Sequence, residues 1–223
     1  MSLIDLRSDT VTKPTSEMLR AMSSAEVGDD VFGEDPTVIR LEQLAAQIMG
    51  KEAGLLVTSG TMGNLAAVLA HTNKGDEVLL EAESHIYFYE VGGMSAVAGV
   101  TPRLIPGKNG KITPEGLENY LRPANIHFPN PTLLCLENTH NRAGGTVATP
   151  QEIKAVAGAA KRRGLKVHLD GARVFNAAAA LGVPVSQVVD WCDSVMFCLS
   201  KGLGAPVGSL LAGSSDFIQR ARK

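Results

Sequence analysis

Three short stretches of this 223-residue chain carry side chains that could do chemistry together. Lys201 follows the apolar run Val195 to Leu199 and sits among small residues, Ser200-Lys201-Gly202-Leu203-Gly204-Ala205-Pro206. An amine at the end of a buried strand is costly to hold charged. Desolvation moves it toward the neutral, nucleophilic form that condenses with carbonyls to a Schiff base. Asp170 closes the alternating segment Leu165 to Leu169 and precedes Gly171 and a helical pattern, which places it at the carboxyl end of a strand, where open α/β sheets hold their ligands. In the third stretch, Ala53 to Asn64, a short apolar strand turns through Thr58-Ser59-Gly60-Thr61 into the helical run Leu65 to His71. Amides at a helix start, reinforced by the Ser59 and Thr61 hydroxyls, suit a phosphate group. The turn is not a P-loop, since no Gly-Lys-Ser/Thr follows, and not a dinucleotide fingerprint, since its third glycine is missing.

Each stretch also has a plainer reading: a surface lysine in a turn, a helix N-cap at Asp170 ahead of Ala172 to Leu181, and an ordinary strand-to-helix turn at Gly60. In combination they match what pyridoxal 5'-phosphate requires. Its ring is an electron sink only while the pyridine nitrogen is protonated, and a carboxylate about 3 Å away supplies on the order of 5 kcal/mol of gross attraction at an effective dielectric of ~20. A net ~3 kcal/mol after desolvation raises the nitrogen's pKa by about two units.

The chain resembles the low-specificity L-threonine aldolases, pyridoxal-phosphate enzymes of the aspartate-aminotransferase fold type. The matching stretches are IDLRSDTVTKPT, VGDDVFGEDPTV, TSGTMGN, ESHIYFYEVGG, IHFPNPTLLCLENTHNRAGG, VHLDGARVFN and FCLSKGLGAPVGS, which together run from residue 4 to residue 209. The resemblance implies that Lys201 carries the Schiff base, Asp170 pairs with the pyridine nitrogen, and Gly60 and Thr61 hold the phosphate. It also implies that His85 stacks on the ring and handles a proton of the substrate's β-hydroxyl, that Arg173 lies near the phenolic oxygen and the substrate, and that Ser8 and His127 lie near the substrate carboxylate and hydroxyl. The reaction implied is retro-aldol cleavage of L-threonine or L-allo-threonine to glycine and acetaldehyde, in a homodimer or homotetramer, with no metal. Read without the resemblance, His85 is a helix-start residue, Arg173 pairs with an acid at the sheet edge, Ser8 with Asp9 forms a turn, and His127 stands in an irregular segment before Phe128-Pro129. Another β-eliminating lyase or an aminotransferase of the same fold would share Lys201 and Asp170, and a truncated, non-catalytic chain would keep the fold and the cofactor.

Two departures from the family pattern stand out. Phe32 occupies a position where a tyrosine is usual, and the family continues beyond Lys223 into a small carboxyl-terminal domain that supplies an arginine for the substrate carboxylate. The expectation is therefore a large cofactor-binding domain over residues 1–223, with an N-terminal arm and without the small domain, and a poor catalyst by itself. The acidic stretch Gly28 to Asp35 lacks the oxygen-ligand spacing of a cation loop and reads as a solvated loop ending in an Asp35-Pro36 helix start.

Composition places limits on the alternatives. A net charge of −2 without basic runs gives no footprint for nucleic acid or an acidic membrane. Cys135, Cys192 and Cys198 form an odd set without a CxxC pair and read as buried thiols of a reducing compartment, in line with a cytoplasmic protein. Neither a signal segment nor an apolar run of 18 residues occurs.

The elements that must position these residues alternate between helical and strand patterns, which predicts an α/β domain with a mostly parallel sheet flanked by helices. Helices are predicted at Thr37–Met49 with Gly50 as the stop, Met62–His71, Ile86–Ala98, Pro114–Leu121, Pro150–Arg163 and Arg173–Leu181, with a helix-like run from Asp216 to Lys223. Strands are predicted at Gly54–Val57, Glu77–Glu81, Thr101–Ile105, Thr132–Glu137, Lys166–Leu169, Ser194–Leu199 and Gly208–Ala212, the last placed to pair antiparallel.

Overall fold

The structure, a computed structural model, describes residues 4–223; residues 1–3 of the expected domain lie outside them. Seven strands form one sheet: β1 (Ala53–Val57), β2 (Glu77–Glu81), β3 (Thr101–Ile105), β4 (Pro131–Glu137), β5 (Lys166–Asp170), β6 (Ser194–Cys198) and β7 (Ser209–Gly213). Their spatial order is β1-β7-β6-β5-β4-β2-β3. The strands from β6 to β3 in this order run parallel to their neighbours, whereas β7 pairs antiparallel with both β6 and β1. A short return loop after β6 explains the reversal, because a parallel partner needs a long crossover.

Strand alternation sorts side chains into two layers. Val167, Leu169, Val195, Phe197, Leu210 and Ala212 face one core, packed by α2 (Pro36–Met49), α6 (Pro114–Tyr120), α7 (Pro150–Arg162), α8 (Val174–Leu181) and α9 (Val185–Val189). Their neighbours at odd steps face the other layer, where Met196, Cys198 and Leu211 meet α3 (Gly60–His71) and α10 (Ser215–Arg222). His168 and Asp170 alternate with Leu169 and so belong to this second face.

Local sequence chemistry sets the helix ends. Asp35 caps α2 by accepting from the Thr37 and Val38 amides, both at 2.9 Å, with Pro36 in the first turn, and Gly50 closes the helix at φ 63°. Thr149 and Glu152 form a reciprocal capping box on α7. The predicted Ile86–Ala98 helix is corrected: it is two short helices, α4 (His85–Phe88) and α5 (Gly93–Ala96), parted by Val91 at φ 56° and Gly92 at φ 66°. Residues 89–92 turn because Glu90 is drawn inward, 5% exposed, while Val91 stands in solvent. Three elements were not predicted: a 3₁₀ turn at Asp9–Val11, α1 (Ser16–Ser23) in the N-terminal arm, and α9. Helix α1 carries a short apolar stripe, Met18, Leu19 and Met22, but buries no residue, and α9 is only five residues long, too short for a helical period to show.

Phe32 lies in an exposed turn, its amide donating to Asp29 Oδ1 at 2.9 Å. The three cysteines are free and buried, and burial pushes the Cys192 thiol up to about 12. Among the described residues no helix is long and apolar enough to cross a membrane.

Candidate active site

A cleft of about 320 Å³ opens at the carboxyl edge of β5 and β6, against the start of α3. Gly60, Thr61, His85, Asp170 and Lys201, five of the residues singled out from sequence, line it together with Asn64 and Glu90.

Asp170 ends β5 and is 2% exposed. Its Oδ1 accepts from the Ala172 amide at 3.1 Å and its Oδ2 from Asn64 Nδ2 at 2.9 Å. The N-cap alternative does not hold, since α8 starts at Val174 with Arg173 at the cap position and no side-chain cap. A carboxylate has about four acceptor sites, so two neutral donors leave Asp170 with capacity for a further one.

Helix α3 begins at Gly60, with Ser59 Oγ accepting from the Met62 amide at 3.2 Å. The amides of Gly60 and Thr61, in the first helical turn, have no acceptor inside the helix and lie at its positive end. Glycine is needed here for close approach: a Cβ on Gly60 would stand 3.0 Å from Cys198 Sγ, and one on Gly63 would stand 2.7 Å from Met196 Cγ. These two positions let the helix start lie directly on β6.

Lys201 sits half-buried in the loop between β6 and β7. The loop is pinned by the N-terminal arm, where Thr12 Oγ1 donates to the Lys201 carbonyl at 2.7 Å. Arg173 donates to Asp9 of the same arm through Nε at 3.0 Å and Nη2 at 2.8 Å. Burial works to raise the Asp9 carboxyl, but the Arg173 hydrogen bond and charge, with the Lys201 charge and the Gly202 amide, outweigh it and hold the pKa below its ordinary value. Arg173 thus pairs with an acid beside the lysine loop and is not part of the cleft lining.

His85 starts α4 and is held at both ends. Its amide donates to Glu137 Oε2 at 2.7 Å, and its Nδ1 meets Glu90 Oε1 at 3.0 Å. The Glu90 hydrogen bond pushes the imidazole pKa up against burial, helped by the charges of Asp170, Glu90 and Glu137. Glu90 itself is pushed up, first by burial and then by the nearby Asp170 charge. The pair therefore shares a proton to higher pH than a free histidine would keep it.

Ser8 and His127 do not line the cleft. Ser8 caps the 3₁₀ turn, its Oγ accepting from the Thr10 amide at 3.2 Å and the Thr10 hydroxyl at 2.9 Å. His127 lies in the exposed loop before β4, its amide donating to Asn125 Oδ1 at 2.9 Å. Because β4 runs parallel to β5, that loop is at the amino edge of the sheet, a full strand length from Asp170. Sequence reasoning missed Asn64, Glu90 and Glu137. Asn64 had a usable signal in its position one helical turn after Gly60; Glu90 and Glu137 had none, because their roles depend on a turn and on strand register.

A doubly flanked sheet with a lysine and an acid at its carboxyl edge and a helix start across from them defines a class of α/β enzyme fold. The fold is similar to that of the threonine aldolase of Leishmania major, with a TM-score of 0.83 at 22% identity, covering 96% of this chain and 64% of that one. The beta-eliminating lyase family model matches residues 5–223, and the chain belongs to that family. It is 50% identical to low-specificity L-threonine aldolase 1 of Arabidopsis thaliana, over 100% of this chain and 63% of that protein. It is 44% identical to the low specificity L-threonine aldolase of Escherichia coli K12, over 98% and 65% respectively. The chain thus spans less than two thirds of the length of these curated relatives.

Proposed function

We propose that this chain is the cofactor-binding domain of an enzyme that cleaves L-threonine and L-allo-threonine to glycine and acetaldehyde with pyridoxal 5'-phosphate. The observation that carries this reading is the convergence of Lys201, Asp170 and the first-turn amides of α3 in one cleft. The donor set fits the cofactor: an amine for its aldehyde, a buried carboxylate with acceptor capacity left for a ring N–H, and uncommitted amides for a phosphate. When bound there, the cofactor supplies the electron sink that accepts the bonding pair as Cα–Cβ breaks.

The chain's own residues do the rest. Lys201 would hold the cofactor's aldehyde through its amine. Asp170, kept in place by Ala172 and Asn64, holds a proton on the pyridine nitrogen. His85, paired with Glu90 on the cleft wall, would stack on the cofactor ring and handle the proton of the β-hydroxyl. Arg173, which pairs with Asp9 beside the lysine loop, would serve the cofactor's phenolic oxygen and the substrate, and Ser8 of the N-terminal arm the substrate carboxylate. His127, remote from the cleft of its own chain, serves the substrate hydroxyl only from another copy, in a homodimer or homotetramer. Buried free thiols agree with work in the cytoplasm.

The test is the absorbance of the pure protein before and after borohydride, with peptide mapping of the reduced adduct, and an assay of threonine without a keto acid. The expected result is label on Lys201 and equal amounts of glycine and acetaldehyde. Label on another lysine overturns the site assignment. A requirement for a keto acid, or ammonia as a product, moves the reaction to an aminotransferase or an eliminating lyase of the same fold.

A further inference from the structure

Behind the cleft runs a continuous hydrogen-bonded line of buried side chains from α3, β5 and β6. Asn64 Nδ2 lies 2.8 Å from Glu90 Oε1 and 2.9 Å from Asp170 Oδ2. Asn64 Oδ1 lies 3.1 Å from His168 Nε2, His168 Nδ1 lies 2.8 Å from Ser194 Oγ, and Ser194 Oγ lies 2.8 Å from His71 Nε2. Asn64, His168 and Ser194 are 0% exposed, so no water competes for these groups.

The chemistry of the donors leaves one consistent placement of protons. Ionised carboxylates only accept, so both Asn64 N–H groups face Asp170 and Glu90 and its oxygen faces His168. His168 must then donate from Nε2. Burial pushes its pKa down to about 3, so the ring is neutral, Nδ1 is bare, and it accepts the Ser194 hydroxyl proton. Ser194 Oγ in turn accepts from His71 Nε2, which leaves His71 Nδ1 as the bare end of the line, buried and without a partner. Turning the Asn64 amide over would set its oxygen against two carboxylate oxygens, at 2.8 and 2.9 Å.

We propose that Asn64 is a positioning residue of the site, oriented by the two carboxylates on its amide nitrogen and by the His168 N–H on its oxygen, so that a single amide fixes both the carboxylate that meets the cofactor and the carboxylate that meets His85. The inference rests on the functional reading above for what Asp170 and His85 do, but its geometry is independent of it. By donating one hydrogen bond to each acid, Asn64 satisfies two buried carboxyl groups side by side. His85 depends on that arrangement. The groups that face it are Glu90 from the turn after α4, Asp170 from β5, Glu137 from β4, and the Tyr89 ring at 5.3 Å.

The experiment is a pH titration of [15N]histidine-labelled full-length protein by NMR, as purified and after saturation with pyridoxal 5'-phosphate, for the wild type, Asn64→Leu and Ser194→Ala. In the wild type His168 is expected to remain the neutral Nε2–H tautomer throughout. In Asn64→Leu, Glu90 loses a donor and takes the shared proton, so the His85 midpoint should fall by about one unit and the cofactor should bind roughly tenfold more weakly. Ser194→Ala, a smaller change that keeps Asn64, should loosen the His168 tautomer and move His85 in the same direction by less. An Asn64→Leu protein with reduced melting temperature but an unmoved His85 midpoint would show that Asn64 only packs. If Asn64→Leu does not fold, a Ser194→Ala protein with an unchanged His168 tautomer and His85 midpoint overturns the proposal by itself. Failure of the wild type to bind the cofactor would count against the functional reading, while the His85 shift would still decide the role of Asn64.

Discussion

At the residue scale, Asp170 and His168 stand two positions apart on the same face of β5, and burial acts on them through opposite chemistry. Asp170 has donors on both oxygens and room for a third, so its charge is useful where it stands. Asp170→Asn keeps the shape and the phosphate contacts while removing the charge. We expect turnover to fall by roughly two orders of magnitude, equivalent to ~3 kcal/mol in the barrier, with a much smaller change in cofactor affinity. Steady-state kinetics beside a cofactor titration measures both, and an unchanged kcat at full occupancy would reduce Asp170 to a structural acceptor. His168 is held neutral, its pKa about 3 against an ordinary 6.5, and His71 follows at about 4. Both shifts are depressions. The stability they contribute is present above about pH 6.5 and is lost as pH falls toward the folded values, at up to about 1.4 kcal/mol per pH unit for each ring. Urea midpoints measured from pH 7.5 to pH 4.5 should decline steeply, and His168→Gln should flatten the decline. Equal slopes for the two proteins would mean that the buried ring takes up a proton without cost.

At the scale of elements, the site depends on how closely α3 lies on β6. A methyl at Gly63 meets Met196 Cγ at 2.7 Å, so the helix start must lift or Met196 must leave its rotamer. Gly63→Ala should cost about 1–3 kcal/mol despite the higher helix propensity of alanine. It should also weaken binding of the cofactor's phosphate, because the Gly60 and Thr61 amides move with the helix. Thermal melts and a comparison of pyridoxal with pyridoxal phosphate binding separate the two effects; a stabilised Gly63→Ala protein would contradict the packing described. The same scale explains what could be read in advance. Lys201 and Asp170 are legible because Asp170 ends one apolar strand and Lys201 closely follows another, and strand ends fall on a known edge of an α/β sheet. Glu90 is not legible, because the pattern from Ile86 to Ala98 suits one helix and only the reversal at Val91 and Gly92 turns the acid inward. Strand β7 was legible as antiparallel from the short loop before it.

For the whole molecule, Leu6, Val31, Phe32, Val91 and Ile126 are each at least 79% exposed. A homodimer or homotetramer would cover them and bring the loop that carries His127 toward another copy's cleft. Sedimentation equilibrium of the purified protein should return a multiple of the chain mass, and Ile126→Lys should shift it toward the monomer. A wild-type monomer at micromolar concentration would remove His127 from any site. That histidine was the least legible of the named residues, since its own chain gives it only a turn with Asn125.

Among the described residues, strand β1 has β7 as its sole ladder partner, with Val57 set against Ser209. During synthesis the first strand therefore waits unpaired while about 150 further residues are made, roughly 8 to 30 s at ribosomal speeds. The turn from Ser59 to Thr61 hangs from the end of β1, and Thr12 reaches the Lys201 carbonyl across 189 positions. The Ser59–Thr61 turn and the lysine loop thus come into being in the same late event, when β7 closes on β1. A chain still short of Gly213 has neither half of the cleft, so the site opens only after this part of the domain has left the exit tunnel.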